Sequence, residues 1–94
     1  MQPLSIVWDP VKARRNELKH GVAFEEAATV FRDPLLLVQP DVVHSLDEER
    51  WIALGKSAHQ LLLVLVHTEN EKTIRIISAR KAEPRERKRY EQQP

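Results

Sequence analysis

The spacing of apolar residues changes character along the chain, and each change marks an element. Residues 4–8, LSIVW, are a short β-prone run. Asp9 and Pro10 follow: a carboxylate able to accept from free helix amides, and a ring suited to the first helical position. The spacing predicts a helix from Pro10 to His20, stopped by Gly21 in the left-handed region. Its apolar stripe is thin (Val11, Ala13, Leu18), which suits packing against a sheet. Lys19 and His20 fall in the last turn, where the helix dipole favours positive charge.

Phe24, Ala27, Ala28 and Phe31 recur at i, i+3, i+4 and i+7, the signature of a second helix, which ends at Asp33-Pro34. Residues 35–41, LLLVQPD, read as a strand that Pro40 confines to a sheet edge. Residues 41–49 read as an acidic loop. Three strands follow at 50–56, 61–68 and 73–80. Their connections, SAHQ and ENEK, are short enough for hairpins, which predicts an antiparallel meander. Glu83 and Pro84 then open a C-terminal helix, polar nearly all round with Tyr90 as its only aromatic. Such a helix is stable only when docked. The predicted order is β-α-α-β-β-β-β-α, an α+β fold with an antiparallel sheet core. A chain this short supports one domain over residues 1–94.

Strand side chains alternate, so the hairpins assign faces. With an even number of residues in both loops, Arg50 lies opposite His67 and His67 opposite Ile74. Arg50, Ile52 and Leu54 then share a face with Leu63, Leu65, His67, Ile74, Ile76, Ser78 and Arg80. Trp51, Ala53, Leu62, Val64, Val66, Arg75, Ile77 and Ala79 take the other. A one-residue change in either loop flips the pairing. Both faces are apolar in the middle and polar at the ends. Helices cover only part of that surface, so a groove or a partner is expected.

Composition narrows the chemistry. Cysteine is absent, which excludes disulfides and thiolate catalysis. The longest apolar run, residues 61–66, is too short to span a bilayer, and residues 1–6 form no basic-then-apolar leader. The expectation is a soluble cytoplasmic protein without membrane contact. Net charge is only +1, yet Asp33, Asp41, Asp47, Glu48 and Glu49 cluster without an intervening Lys or Arg, while the chain from Arg75 onward is basic. Such polarity can steer a polyanion to one face.

Four phrases, VWDPVKARRNELKHGVAFEEAATVF, RWIALGKS, LLVLVHTE and IRIISARKAEPRERKRY, together resemble the BrnT family of bacterial toxins across residues 6–90. The family commonly has a Ser or similar cap before the Phe-Glu-Glu helix; here Ala23 stands there, and alanine cannot cap. The resemblance implies a RelE-like fold and a ribonuclease activity that inhibits translation. It also implies a cognate BrnA-like antitoxin with a DNA-binding domain, through which the complex would reach operator DNA.

A ribonuclease working without metal or other cofactor uses the substrate's 2′-OH as nucleophile. It needs a base for that hydroxyl, a cation for the phosphorane and a proton for the leaving oxygen. Arginine suits the second task, since its planar fork pairs bidentately with phosphate. Histidine suits the outer two. The expected catalytic residues are therefore Arg80 at a strand end, Arg50 heading its strand, His67 and His20. Each has a plainer reading: a solvated strand end for Arg80, pairing with Glu48 or Glu49 for Arg50, a structural role for His67, dipole complementation for His20. Arg75, Lys81, Arg85, Arg87, Lys88 and Tyr90 are expected to contact RNA, the cations through its backbone. Their plainer reading is a salt-bridged helix (Glu83 to Arg87, Arg87 to Glu91), with Tyr90 its anchor. The spacing Asp41-x-x-His44-x-x-Asp47 also permits a metal reading, but it lacks a closing ligand. Trp8 and Trp51 read as core. A non-catalytic module using the same basic face for RNA or protein is the alternative function.

Overall fold

The computed structural model describes residues 5–44 and 47–94. Leu4 of the expected first strand, and Ser45 and Leu46 of the acidic stretch, lie outside them. The strands are β1 (Ser5–Val7), β2 (Leu37–Pro40), β3 (Trp51–Lys56), β4 (Leu62–Glu69) and β5 (Thr73–Lys81); the helices are α1 (Pro10–His20), α2 (Phe24–Ala28) and α3 (Pro84–Glu91). The five strands form one sheet in the order β1-β5-β4-β3-β2. β2 to β5 pair antiparallel, but β1 runs parallel to β5, so the sheet is mixed. β2 occupies an edge, where the proline amide's missing N–H costs no ladder bond.

α1 begins and ends as its caps dictate. The Asp9 carboxylate accepts from the Lys12 amide at 3.3 Å, and Gly21 sits at φ 72 with its N–H on the Glu17 carbonyl. Its packing stripe differs from the expected one. Leu18 is 88% exposed, while the contact to the body runs through Ala13 and the buried Asn16. The Asn16 amide donates to the Ala79 and Val22 carbonyls at 2.8 and 3.0 Å and accepts from the Ala79 N–H at 3.0 Å. A side-chain amide thus supplies the edge of β5 beyond the reach of short β1, pairing backbone groups that would otherwise be orphaned.

The second helix tightens early. After Ala28 the chain forms a 3-10 turn, Thr29–Arg32, and the Thr29 hydroxyl donates back to the Glu26 carbonyl at 2.7 Å. That turn and the residues after it press on Gly55, where an added Cβ would sit 2.8 Å from a Leu36 methyl carbon, 3.3 Å from Asp33 Oδ2 and 3.4 Å from Val30 Cβ. Asp33, beside it, accepts from the Lys56 amide at 2.7 Å.

Both hairpins correct the expected register. The first loop spans residues 57–61, because Ser57 bonds back to both ends of Leu61 and Gln60 takes φ 66. Trp51 therefore faces His67, and Lys56 faces Leu62. In the second hairpin His67 pairs with Ile76 rather than Ile74, and a bulge follows between Val66 and His67. The extra residue, Ile77, reverses the alternation, so Val64 pairs with Arg80 and Leu65 with Ala79. Leu63, Leu65 and His67 thereby leave the face of Ile52, Leu54, Ser78 and Arg80, and Val64 and Val66 join it.

Each face carries its own core. Under α1 and α2 lie Val22, Phe24, Ala27, Val30, Ala53, Leu63, Leu65, Ile76 and Ala79, with Trp8 packed edge-on to Phe24 at 6.1 Å. On the opposite face Tyr90 of α3 packs with Leu54, Leu62 and Val64.

Candidate functional site

α3 covers only part of its face. Beside it lies a cleft of about 260 Å³ with an apolar floor of Ile52, Leu54, Val64 and Val66. Arg80, Glu86 and Arg89 line the β5 and α3 side; Gln39, Asp41 and His44 line the β2 side. The Arg89 guanidinium reaches the Gln39 side-chain oxygen, linking α3 to the edge strand.

Arg80 is held before any ligand arrives. Its Nη1 and Nη2 donate to the two Glu86 oxygens at 2.8 and 2.7 Å. Glu86 is itself fixed by the Glu83 amide, which donates to Oε1 at 2.8 Å. Arg80's hydrogen bonds hold the Glu86 carboxyl below its ordinary range, and Glu86 in turn raises the guanidinium's pKa. A guanidinium has more N–H groups than one carboxylate uses, which leaves donors for a phosphate.

Across the floor stands a pair that the sequence offered only as an incomplete metal motif and not as catalytic residues. Residues Val42–His44 form a 3-10 turn, where positions i and i+3 eclipse. That brings His44 Nδ1 within 3.2 and 3.1 Å of the two oxygens of Asp41, which is 6% exposed. A carboxylate only accepts, so Nδ1 carries the proton and Nε2 is the basic nitrogen. The signal was the Asp41-x-x-His44 spacing, read as loop because the turn is short. Among the described residues no group of three acidic, His or Cys side chains is placed to hold a metal.

Arg50 lines an adjoining cleft of about 250 Å³ with Val43, His44, Asp47 and Glu48. The two clefts share His44, so the structure brings Arg80, Arg50 and His44 into one region. The other two expected catalytic histidines lie elsewhere. His67 is wholly buried on the helix face, edge-on to Phe31 at 5.2 Å. Burial pushes its pKa down to about 4. It is therefore neutral at pH 7, and the 3.6 Å approach of Glu69 is no ion pair there. The bulge explains the separation, since it turns Arg80 away from His67. His20 ends α1, half-buried, on that same helix side.

The expected RNA contacts divide as well. Arg75 is paired with Glu48 at 2.7 Å and lines a cleft with Glu49 and Glu69, an acidic setting. Lys81, Arg85, Arg87 and Lys88 are exposed, with Arg87 3.8 Å from Glu91. Tyr90 is corrected to an anchor: it is buried and its hydroxyl donates to Asp33 at 2.6 Å. Burial and that carboxylate push the phenol up to about 12. Burial opposes ionisation of Asp33, but its bonds from Lys56, Tyr90 and Leu35 outweigh this and lower its pKa.

Fold and cleft define a small α+β protein with one polar-walled, apolar-floored groove. The family model of the ribonuclease toxin BrnT of type II toxin-antitoxin systems matches residues 8–86, and the chain belongs to that family. No curated protein sequence matches. Among solved structures, the crystal structure of the Brucella abortus ribonuclease toxin BrnT is similar. It shares 21% identity at a TM-score of 0.66, covering 86% of this chain and 99% of that one. At that identity the likeness concerns the fold. Among the described residues no helix is long and apolar enough to cross a membrane.

Proposed function

We propose that this toxin cuts RNA without a metal and so inhibits translation. The reading is carried by one observation: Arg80 and an Asp41-held His44 line the same apolar-floored cleft. Family membership supports the ribonuclease class. In this reading a base rests on Ile52, Leu54, Val64 and Val66, which brings the phosphate to Arg80. His44 Nε2 takes the proton of the 2′-OH, whose oxygen attacks phosphorus. Arg80, with Arg50 beside His44, offsets the charge of the phosphorane. The bond to the 5′ oxygen breaks, and that oxygen takes a proton from water in the open cleft. The products are a 2′,3′-cyclic phosphate and a 5′-OH end. His67 and His20 stand off this path. The antitoxin implied by the family is read as a BrnA-like protein whose DNA-binding domain, not this chain, contacts operator DNA.

Mapping the ends of RNA cut by purified protein in EDTA tests the reading. Cyclic phosphate and 5′-OH ends are expected. Arg80→Ala should cost about 10²–10³ in rate, and His44→Gln about 10²–10⁴, with circular dichroism unchanged. Cutting that stops in EDTA and returns with a divalent ion would overturn the metal-free mechanism. RNA that is bound yet never cut would favour the binding module instead.

A further inference from the structure

A further cleft, of about 340 Å³, lies beyond Tyr90, lined by Arg32, Asp33, Lys56, Thr29, Ser57 and Gln60 among others. Two cations line it. Arg32 is exposed and makes no hydrogen bond or ion pair among the described residues. Lys56 is half-buried, with its ammonium 5.9 Å from the centre of the Tyr90 ring, in the field of Asp33.

The nearby carboxylates are already engaged. Asp33 accepts from the Lys56 and Leu35 amides and the Tyr90 hydroxyl. Glu26 holds His59, at 2.6 Å from its Nδ1, and takes a further bond from Ser57. Exposed Arg32 and half-buried Lys56 place two like charges in one cleft, and Lys56 also loses hydration, a cost that an incoming anion offsets. The walls are rigid: the Ala58 amide donates to Thr29 Oγ1 at 2.8 Å, and Ser57 and Leu61 close the loop at 2.8 Å.

Position supplies the ligand class. Lys56 follows Leu54 at i+2 on β3, so it lies about 7 Å along the same face from the cleft floor. Arg85, Arg87 and Lys88 are exposed on α3, the helix that docks on that face through Tyr90. We propose that the Arg32/Lys56 cleft is an anion subsite holding a backbone phosphodiester of the RNA beside the cut site. This rests on the ribonuclease reading above and adds where the rest of the chain runs.

Binding of a short, fully 2′-O-methylated RNA, which cannot be cut, tests it by fluorescence anisotropy across a salt series. Arg32→Gln and Lys56→Gln should each weaken binding several-fold. Each should flatten the slope of log affinity against log salt by about 0.7, the value for one phosphate contact on a single strand. Lys12→Gln, which removes an equal charge from exposed α1, should change neither. Equal effects at Lys12 and Arg32, or none at Arg32 and Lys56, overturn the subsite. So does inorganic phosphate that shifts the amide signals of residues 57–61 while the RNA leaves them in place. Cleavage of unmodified RNA is scored apart. A wild-type protein that binds but never cuts removes the ribonuclease reading, and the subsite then stands on the binding data alone. No RNA binding by wild type removes the subsite.

Discussion

The two faces of the sheet are built from alternate residues of the same strands, yet they do different work. Under α1 and α2 the strands present Ala53, Leu63, Leu65, Ile76 and Ala79 to helices that seal them. On the α3 face Leu54, Leu62 and Val64 are equally apolar, but the covering helix is short and polar and docks through Tyr90, Arg80–Glu86 and Arg89–Gln39. The sealed face tolerates a histidine only as a neutral group. The half-covered face keeps charges at the rim, where solvent and paired carboxylates stabilise them, over an apolar floor. What separates the faces is less their apolar content than how completely a helix covers it.

The largest expected effect is on the sealed face, in acid. An unfolded His67 takes up a proton as pH falls through 6.5, whereas the folded one resists until about 4. The unfolded state binds more protons in that window, so stability falls as pH drops from 6.5 to 4 and this contribution levels off below. The loss amounts to about 3 kcal/mol. Urea unfolding against pH, wild type beside His67→Leu, isolates it. The variant also removes two ring nitrogens without hydrogen bonds, and should cut RNA normally. A stable His67→Leu protein that no longer cuts RNA would return this histidine to the site and erase the contrast between faces.

Next comes Asn16→Leu, which should cost about 2 kcal/mol by leaving the Ala79 and Val22 backbone groups unpaired. Faster hydrogen exchange at the Ala79 amide should accompany it; unchanged exchange would mean that water replaces the side chain. The smallest effect belongs to the half-covered face. Tyr90→Phe keeps the ring against Leu54, Leu62 and Val64 and loses only the bond to Asp33, about 1 kcal/mol in thermal or urea unfolding. A larger loss would show that α3 hangs on its polar contacts rather than its one buried ring.

Much of this was legible in the residues. Asp9-Pro10 and Gly21 bound α1, Pro40 marked an edge strand, and the apolar runs marked the meander. The ordered phrases pointed to the BrnT family. Face assignment depended on loop parity, and its two departures partly compensate: the longer first loop moves β4 against β3, and the Ile77 bulge turns β5 back. Ile52, Leu54 and Arg80 therefore share a face as the parity reading had them, while His67 does not.

By itself the sequence determined which segments are helix or strand and which end of the chain is basic, because caps, breakers and periodicity act over a few neighbouring residues. Only the tertiary structure decided that Arg80 shares a cleft with His44 rather than a face with His67, that Asp41 and His44 form a pair, and that Arg32 joins Lys56 in a cleft. Those outcomes turn on a loop residue in the left-handed region, a bulge and a single 3-10 turn. Each is a local backbone choice, settled by whether the resulting face can be packed.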